Sequence, residues 1–174
     1  MTLFKDKYRI ESVRLPGYDY SQPGAYFITI VTHNRQCLFG NIVDGEMIRN
    51  EFGELVKTEW SKTALIRPNI VIDAFVVMPN HLHGILIITG SESGNGTTIE
   101  QFGKPTKNSI PTIVRLFKST TTKQINQLRQ TPMQPLWQRN YHEHVIRNDT
   151  ELTRIRQYII NNPKKWEEDN MNKL

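Results

Sequence analysis

The stretch MPNHLHGILII, residues 78–88, sets two histidines one residue apart at the head of an unbroken apolar run. Side chains on a strand alternate faces, so His81 and His83 point the same way and Leu82 points oppositely. One face then carries His81, His83, Ile85 and Ile87, and the other carries Leu82, Gly84, Leu86 and Ile88. Two neutral imidazoles so placed can both reach one divalent cation. They can equally be ordinary strand-end histidines that touch water or carbonyls. A cation site also needs a further ligand and open positions.

The last helical segment offers candidates. With Leu152, Ile155 and Ile159 on its core side, Tyr158 and Asn162 fall together on one edge, a single turn apart. Asn162 brings a carbonyl oxygen suited to a hard cation such as Mg²⁺ or Mn²⁺, and Tyr158 brings a hydroxyl nucleophile. The alternative for Tyr158 is an amphipathic tyrosine at the core boundary. A second pair, His142 and His144 in YHEHVIR, also shares one strand face and competes on geometry alone, or belongs to a solvated strand.

These groups need elements to position them. AYFITIVTH (25–33) is β-branched and aromatic and reads as a first strand. LFGNIVDGEMIRN follows, with Asp44-Gly45 signalling a hairpin turn. Asn50 caps a helix from Glu51, with Phe52, Leu55, Val56 and Trp60 as its apolar stripe. IVIDAFVVM (70–78) and HLHGILII (81–88) are core strands joined tightly through Pro79-Asn80. Residues 89–108 are polar and Gly/Ser-rich and predict a mobile loop within one domain.

Ser109 caps a second helix, whose Ile110, Ile113, Val114, Phe117, Thr121, Ile125 and Leu128 follow a 3.6-residue rhythm. Pro111 fits its first turn. WQRNYHEHVIR (137–147) predicts a fourth strand. Asn148 with Glu151 resembles a capping box for the last helix, which Pro163 stops. Residues 1–24, broken by prolines and glycines, predict an irregular start, and 164–174 a polar, frayed tail. Without hairpin and last helix the order is βαββαβ, so the expected class is α+β, a ferredoxin-like antiparallel sheet with helices on one face.

Bulk properties bound the partners. The chain has 174 residues, enough for one domain with a real core. Its 37% apolar and 22% charged content suits a soluble globular protein. No run approaches the ~18 apolar residues of a membrane span. The N-terminus lacks an apolar signal core, and Cys37 is the lone cysteine, which excludes an internal disulfide and a cysteine-based zinc site. The expected location is cytoplasmic. A net charge of +5 and a pI near 9.4 favour a polyanionic partner such as nucleic acid.

MPNHLHGILII resembles the histidine–hydrophobic–histidine (HUH) motif of single-tyrosine transposases. YIINNPKKW resembles the tyrosine helix of the same group, particularly of the REP-associated tyrosine transposases. YFITIVTHNR and LWQRNYHEHVIRNDTEL are similar to that family as well, and together the likeness covers roughly residues 25 to 166. It implies cleavage of single-stranded DNA beside hairpins formed by palindromic repeats. It also implies that His81 and His83 hold a divalent metal, Mg²⁺ or Mn²⁺, with Asn162 as third ligand, and that Tyr158 is the nucleophile. Cutting and rejoining then run through a 5′-phosphotyrosine, for DNA transposition or a domesticated task, in a monomer or a homodimer.

Expected DNA contacts are Arg35, Arg115, Lys118, Lys123, Arg139, Arg147, Lys164 and Lys165 to phosphates, Trp137 or Tyr141 to an unpaired base, and His144 near the site. Three other readings stay open. A non-catalytic hairpin-binding module with an RNA-recognition-like fold would display aromatics on central strands, where FITIVTH and GILII are aliphatic. A metal-dependent hydrolase would leave Tyr158 without a role. A relaxase or replication initiator would share the HUH chemistry.

Overall fold

The computed structural model describes residues 14–90 and 106–168, together with a two-stranded antiparallel pair, β1 (Leu3–Phe4) and β2 (Lys7–Tyr8). Most of the expected loop, residues 91–105, and the last six residues lie outside that description.

The central sheet holds β3 (Gly24–Val31), β6 (Ile70–Met78), β7 (His81–Ile88) and β8 (His142–Ile146). Their spatial order is β6-β7-β3-β8, and every neighbouring pair is antiparallel. Counting only these four, the order across the sheet is second, third, first, fourth. β6 and β7 form a hairpin closed by Pro79 and Asn80, with Met78 opposite His81. The runs predicted for both strands match the observed bounds. A register shift between Ile72 and Phe75 interrupts β6.

Before the first helix, β4 (Gly40–Val43) and β5 (Glu46–Arg49) make the predicted hairpin. Asp44 and Gly45 have φ of 51° and 75°, the pair of positive angles that a type I′ turn demands. Helix α1 (Glu51–Leu65) starts where Asn50 Oδ1 accepts from Gly53 N–H. Helix α2 (Ile110–Leu128) starts where Ser109 Oγ accepts from Thr112 N–H. Helix α3 (Asp149–Asn161) is capped by Asn148, whose Oδ1 accepts from Glu151 N–H at 2.8 Å. Glu151 Oε2 returns a bond to the N–H of Arg147, one residue upstream of the cap. The reciprocal pair of a capping box is therefore present with its second half displaced.

The two faces of the sheet are covered differently. Val56 and Trp60 of α1 and Ile110, Ile113, Val114, Phe117 and Ile125 of α2 pack with Tyr26, Ile28, Ile30, Leu82, Leu86 and Ile88. Trp60 lies so close to β7 that a Cβ on Gly84 would sit 2.7 Å from its Cζ2. The other face carries Ile85 and Ile146, which pack with Ile155 and Ile159 of α3 and with Ala25, Phe27, Val76, Ile87 and Leu152. Thus α1 and α2 share one face, as expected for the βαββαβ unit, and α3 lies on the histidine face.

Two expectations are corrected. The fourth strand is short: Trp137 touches the sheet only by an isolated bridge to Thr32, and pairing resumes at His142. The interval turns away because Lys118 Nζ donates to the carbonyls of Gln138 (2.7 Å) and Arg139 (2.9 Å), taking acceptors a ladder would use. The tail is not frayed from residue 164. Pro163–Glu168 forms a 3₁₀-helix with Trp166 buried beneath it. Among the described residues no helix is long and apolar enough to cross a membrane.

Candidate active site

The chemistry sits where α3 crosses the head of β7. His81 and His83 are fully buried, with ring centroids 4.5 Å apart, on the face that the strand alternation assigns to them. Tyr158, on the exposed side of α3 and 45% accessible, brings Oη to 3.3 Å from His83 Nε2. Its ring stands edge-on to His83 at 5.2 Å and to Phe27 at 6.1 Å. Phe27 in turn stacks on His83 at 5.4 Å. A nucleophile-type hydroxyl is thereby held beside two buried imidazoles.

The ring nitrogens are positioned from behind. His83 Nδ1 lies 2.8 Å from Thr29 Oγ1, which comes from the neighbouring position on β3. His81 Nδ1 lies 2.8 Å from Asn80 Oδ1. Burial, reinforced by the adjacent His81, pushes His83 well below the ordinary imidazole range. It is therefore neutral at physiological pH and keeps a nitrogen lone pair, the form that binds metals.

Asn162, the C-cap of α3, is 3% exposed, and its Oδ1 is buried with no hydrogen bond. A buried amide oxygen left this way is costly unless something outside the chain satisfies it. Asn162 stands one turn beyond Tyr158 and four residues before Trp166, whose ring lies 6.0 Å from that of His81. Residues touching both histidines therefore bracket it along the chain. Two imidazole nitrogens and one carbonyl oxygen are a donor set that suits a divalent cation such as Mn²⁺ or Mg²⁺. Among the described residues no cluster of three His, Cys, Asp or Glu exists, and the Asn162 amide oxygen is the candidate third donor.

Helix α3 is docked by apolar contact. Ile155 and Ile159 are 8% and 1% exposed, and Arg156 adds an ion pair with Asp73 of β6 at 2.8 Å. Beyond the helix, Lys164 meets the β4–β5 turn, where a Cβ on Gly45 would lie 3.4 Å from its Cγ. The tyrosine helix is thus fastened before and after Tyr158.

The second histidine pair does not join this pocket. Thr29 pairs with His83 on one side and His142 on the other, so His142 shares the sheet face but stands two strands away. His144 Nε2 lies 2.7 Å from Glu151 Oε1 instead. There Glu151 is held below its usual carboxyl range by the Arg147 N–H and by His144.

The expected DNA contacts separate into two groups. Arg35, Arg139, Arg147, Lys164 and Lys165 are exposed. Arg139 follows Gln138, whose N–H bonds to Val31 opposite His81, so it borders the pocket's end of the sheet. Arg115 and Lys123 are exposed on α2, which covers the opposite face. Lys118 is committed to backbone carbonyls, and burial lowers its ammonium. Trp137 and Tyr141 are not stacking platforms. Trp137 is 6% exposed, donates Nε1–H to Thr121 Oγ1 and packs on Phe39 and Phe117. Tyr141 is 9% exposed and donates its hydroxyl to Glu143. Sequence reasoning also missed the roles of Thr29, Asn80 and Trp166 around the histidines. Asn80, a polar residue between two apolar strands and next to the pair, carried a readable signal.

No protein-family model matches the chain. A Haemophilus influenzae protein of uncharacterized function is 40% identical over 168 residues, covering 92% of this chain and 91% of that protein. A second Haemophilus influenzae protein, provisionally named a REP-associated tyrosine transposase, is 26% identical over 147 residues, 84% of this chain and 74% of its own length. The solved structure of a REP-associated tyrosine transposase bound to a REP hairpin shares the fold. Its TM-score is 0.59 at 21% identity, over 90% of this chain and 74% of that one. Over most of its length, then, the chain is similar in sequence to a protein given the name REP-associated tyrosine transposase and shares the fold of the solved transposase.

Proposed function

We propose that this protein cuts and rejoins single-stranded DNA beside a hairpin through a covalent tyrosine link. The observation that carries the reading is the placement of Tyr158 Oη 3.3 Å from His83 Nε2, with the ring of His81 4.5 Å from that of His83. His81, His83 and Asn162 would hold a divalent cation. When bound, such a cation supplies charge neutralisation at a scissile phosphate.

The rest belongs to the chain. Tyr158 is half-exposed, so a strand can reach its hydroxyl without opening the core. Oη attacks phosphorus, the P–O3′ bond breaks, and the departing 3′-oxygen takes a proton while the 5′-phosphate stays on the tyrosine. A phenol of ordinary pKa ~10 is protonated at neutral pH, so its proton leaves during the attack. Phe27 and His83 fix the ring edge-on, which restricts the directions from which Oη can meet phosphorus. The phosphotyrosine keeps the phosphodiester's energy, so attack by another strand's 3′-hydroxyl reverses the step and rejoins DNA. The solved relative is bound to a REP hairpin, which supports a hairpin as this chain's substrate. Exposed Arg35 and Arg139 are the basic residues at the pocket's end of the sheet, and Lys164 and Lys165 follow the tyrosine helix.

The test incubates the protein with labelled hairpin DNA carrying single-stranded flanks and Mg²⁺ or Mn²⁺. The expected product is a denaturant-resistant protein–DNA adduct that is absent with EDTA and in Tyr158→Phe. Free ends without any adduct would instead favour hydrolysis by water.

A further inference from the structure

Asn80 sits inside the protein at 1% exposure, yet it is neither a ligand nor a cap. Its Nδ2 donates to the carbonyl of Arg35 at 3.1 Å. A carbonyl can only accept, so this bond fixes which end of the amide faces which way. Oδ1 is thereby turned to His81 Nδ1, at 2.8 Å. An amide oxygen can only accept as well, so Nδ1 must carry the hydrogen. In a neutral imidazole the lone pair is then on Nε2. Isolated imidazole side chains favour the opposite tautomer, with hydrogen on Nε2.

The main chain holds Asn80 in turn. Its carbonyl accepts from Thr32 N–H at 2.9 Å and from Thr32 Oγ1 at 3.0 Å. The support therefore runs from the β3 end through Asn80 to the first histidine. Thr29 Oγ1, a hydroxyl that can donate or accept, lies 2.8 Å from Nδ1 of the second histidine. In both rings the nitrogen nearer the backbone is occupied, and Tyr158 approaches His83 from its Nε2 side.

We infer that Asn80 is a positioning residue that locks His81 in the Nδ1–H tautomer and so presents Nε2 as the cation-binding atom. The inference rests on the reading of His81 as a ligand. Its consequence for affinity follows from the usual effect of losing such a supporting partner, about 10- to 100-fold in metal binding.

The test uses the full chain with ¹⁵N-labelled histidine. Long-range ¹H–¹⁵N spectra of the metal-free protein assign each tautomer, and Mn²⁺ titration followed by electron paramagnetic resonance gives the metal Kd. Two variants separate tautomer control from mere structural support, because both lose the donor to Arg35. Asn80→Asp keeps an acceptor facing Nδ1–H, and Asn80→Leu does not. The expected result is Nδ1–H on His81 in the wild type and in Asn80→Asp, with Mn²⁺ affinity within a few-fold. In Asn80→Leu, His81 shifts toward Nε2–H and affinity falls about 10- to 100-fold. A wild-type His81 already protonated on Nε2 would overturn the inference, as would an unchanged tautomer in Asn80→Leu. An equal affinity loss in both variants would also overturn it, since that is the mark of structural support alone. Wild-type protein that shows the Nδ1–H tautomer but binds no Mn²⁺ supports the role of Asn80 and refutes the metal reading instead.

Discussion

Ile159→Ala tests what delivers Tyr158 to the histidines. Two forces could dock α3: the apolar seam of Ile155 and Ile159 on Ile85 and Ile146, or the Arg156–Asp73 ion pair. Their magnitudes decide between them. Ile159 is 1% exposed, and cutting a buried isoleucine to alanine costs about 2–5 kcal/mol in lost transfer and cavity terms. The arginine side chain of the ion pair is 41% exposed, and solvent-exposed pairs contribute about 0–1 kcal/mol. Ile159→Ala should therefore destabilise the protein by at least about 2 kcal/mol, and Arg156→Ala by less than half of that. At ~1.4 kcal/mol per tenfold, the first figure corresponds to roughly a 30-fold rise in the opening equilibrium of α3. Urea unfolding gives the global cost, and hydrogen exchange of the Asp149–Asn161 amides reads the helix itself. Raising salt should leave the Ile159→Ala deficit unchanged. Equal costs for the two variants, or a deficit in Arg156→Ala that salt reproduces in the wild type, would refute hydrophobic docking.

Gly84→Ala should lower the unfolding free energy measured in urea by about 1–3 kcal/mol, because the new methyl meets Trp60 at 2.7 Å directly behind His83; unchanged stability would mean that α1 yields at no cost. Glu151 should make α3 acid-sensitive. Its folded carboxyl is depressed by the Arg147 N–H and His144, so its stabilising effect is complete above the ordinary ~4.3 and is lost as pH falls through the folded value. Melting temperature against pH should accordingly fall less steeply at acid pH in Glu151→Gln than in the wild type, and parallel curves would contradict the linkage.

Local chemistry made much of the molecule readable. β6 and β7 are β-branched runs with turn residues between them, so their bounds follow from composition. Asp44-Gly45, Asn50, Ser109 and Asn148 announce a turn and three caps by side-chain type alone. The histidine strand is apolar on both faces, and that demands cover on each; Ile85 and Ile87 find it under α3. What escaped was set by distant partners. Trp166 belongs to a polar stretch and is buried only because the chain folds back toward His81. Trp137 and Tyr141 lie in a segment read as a strand, but Lys118 bends it and turns Trp137 into the core. No spacing rule relates residue 118 to residue 138. Asn80 was legible as a turn residue, while its hold on His81 depends on the Arg35 carbonyl 45 positions away.

The most direct measurement is the chemical identity of the covalent link. Adduct formed on hairpin DNA is digested with nuclease and trypsin and sequenced by tandem mass spectrometry. The account predicts a nucleotide attached through its 5′-phosphate to Tyr158, in the peptide spanning residues 157–164. Attachment through a 3′-phosphate, or to any other residue, would contradict it.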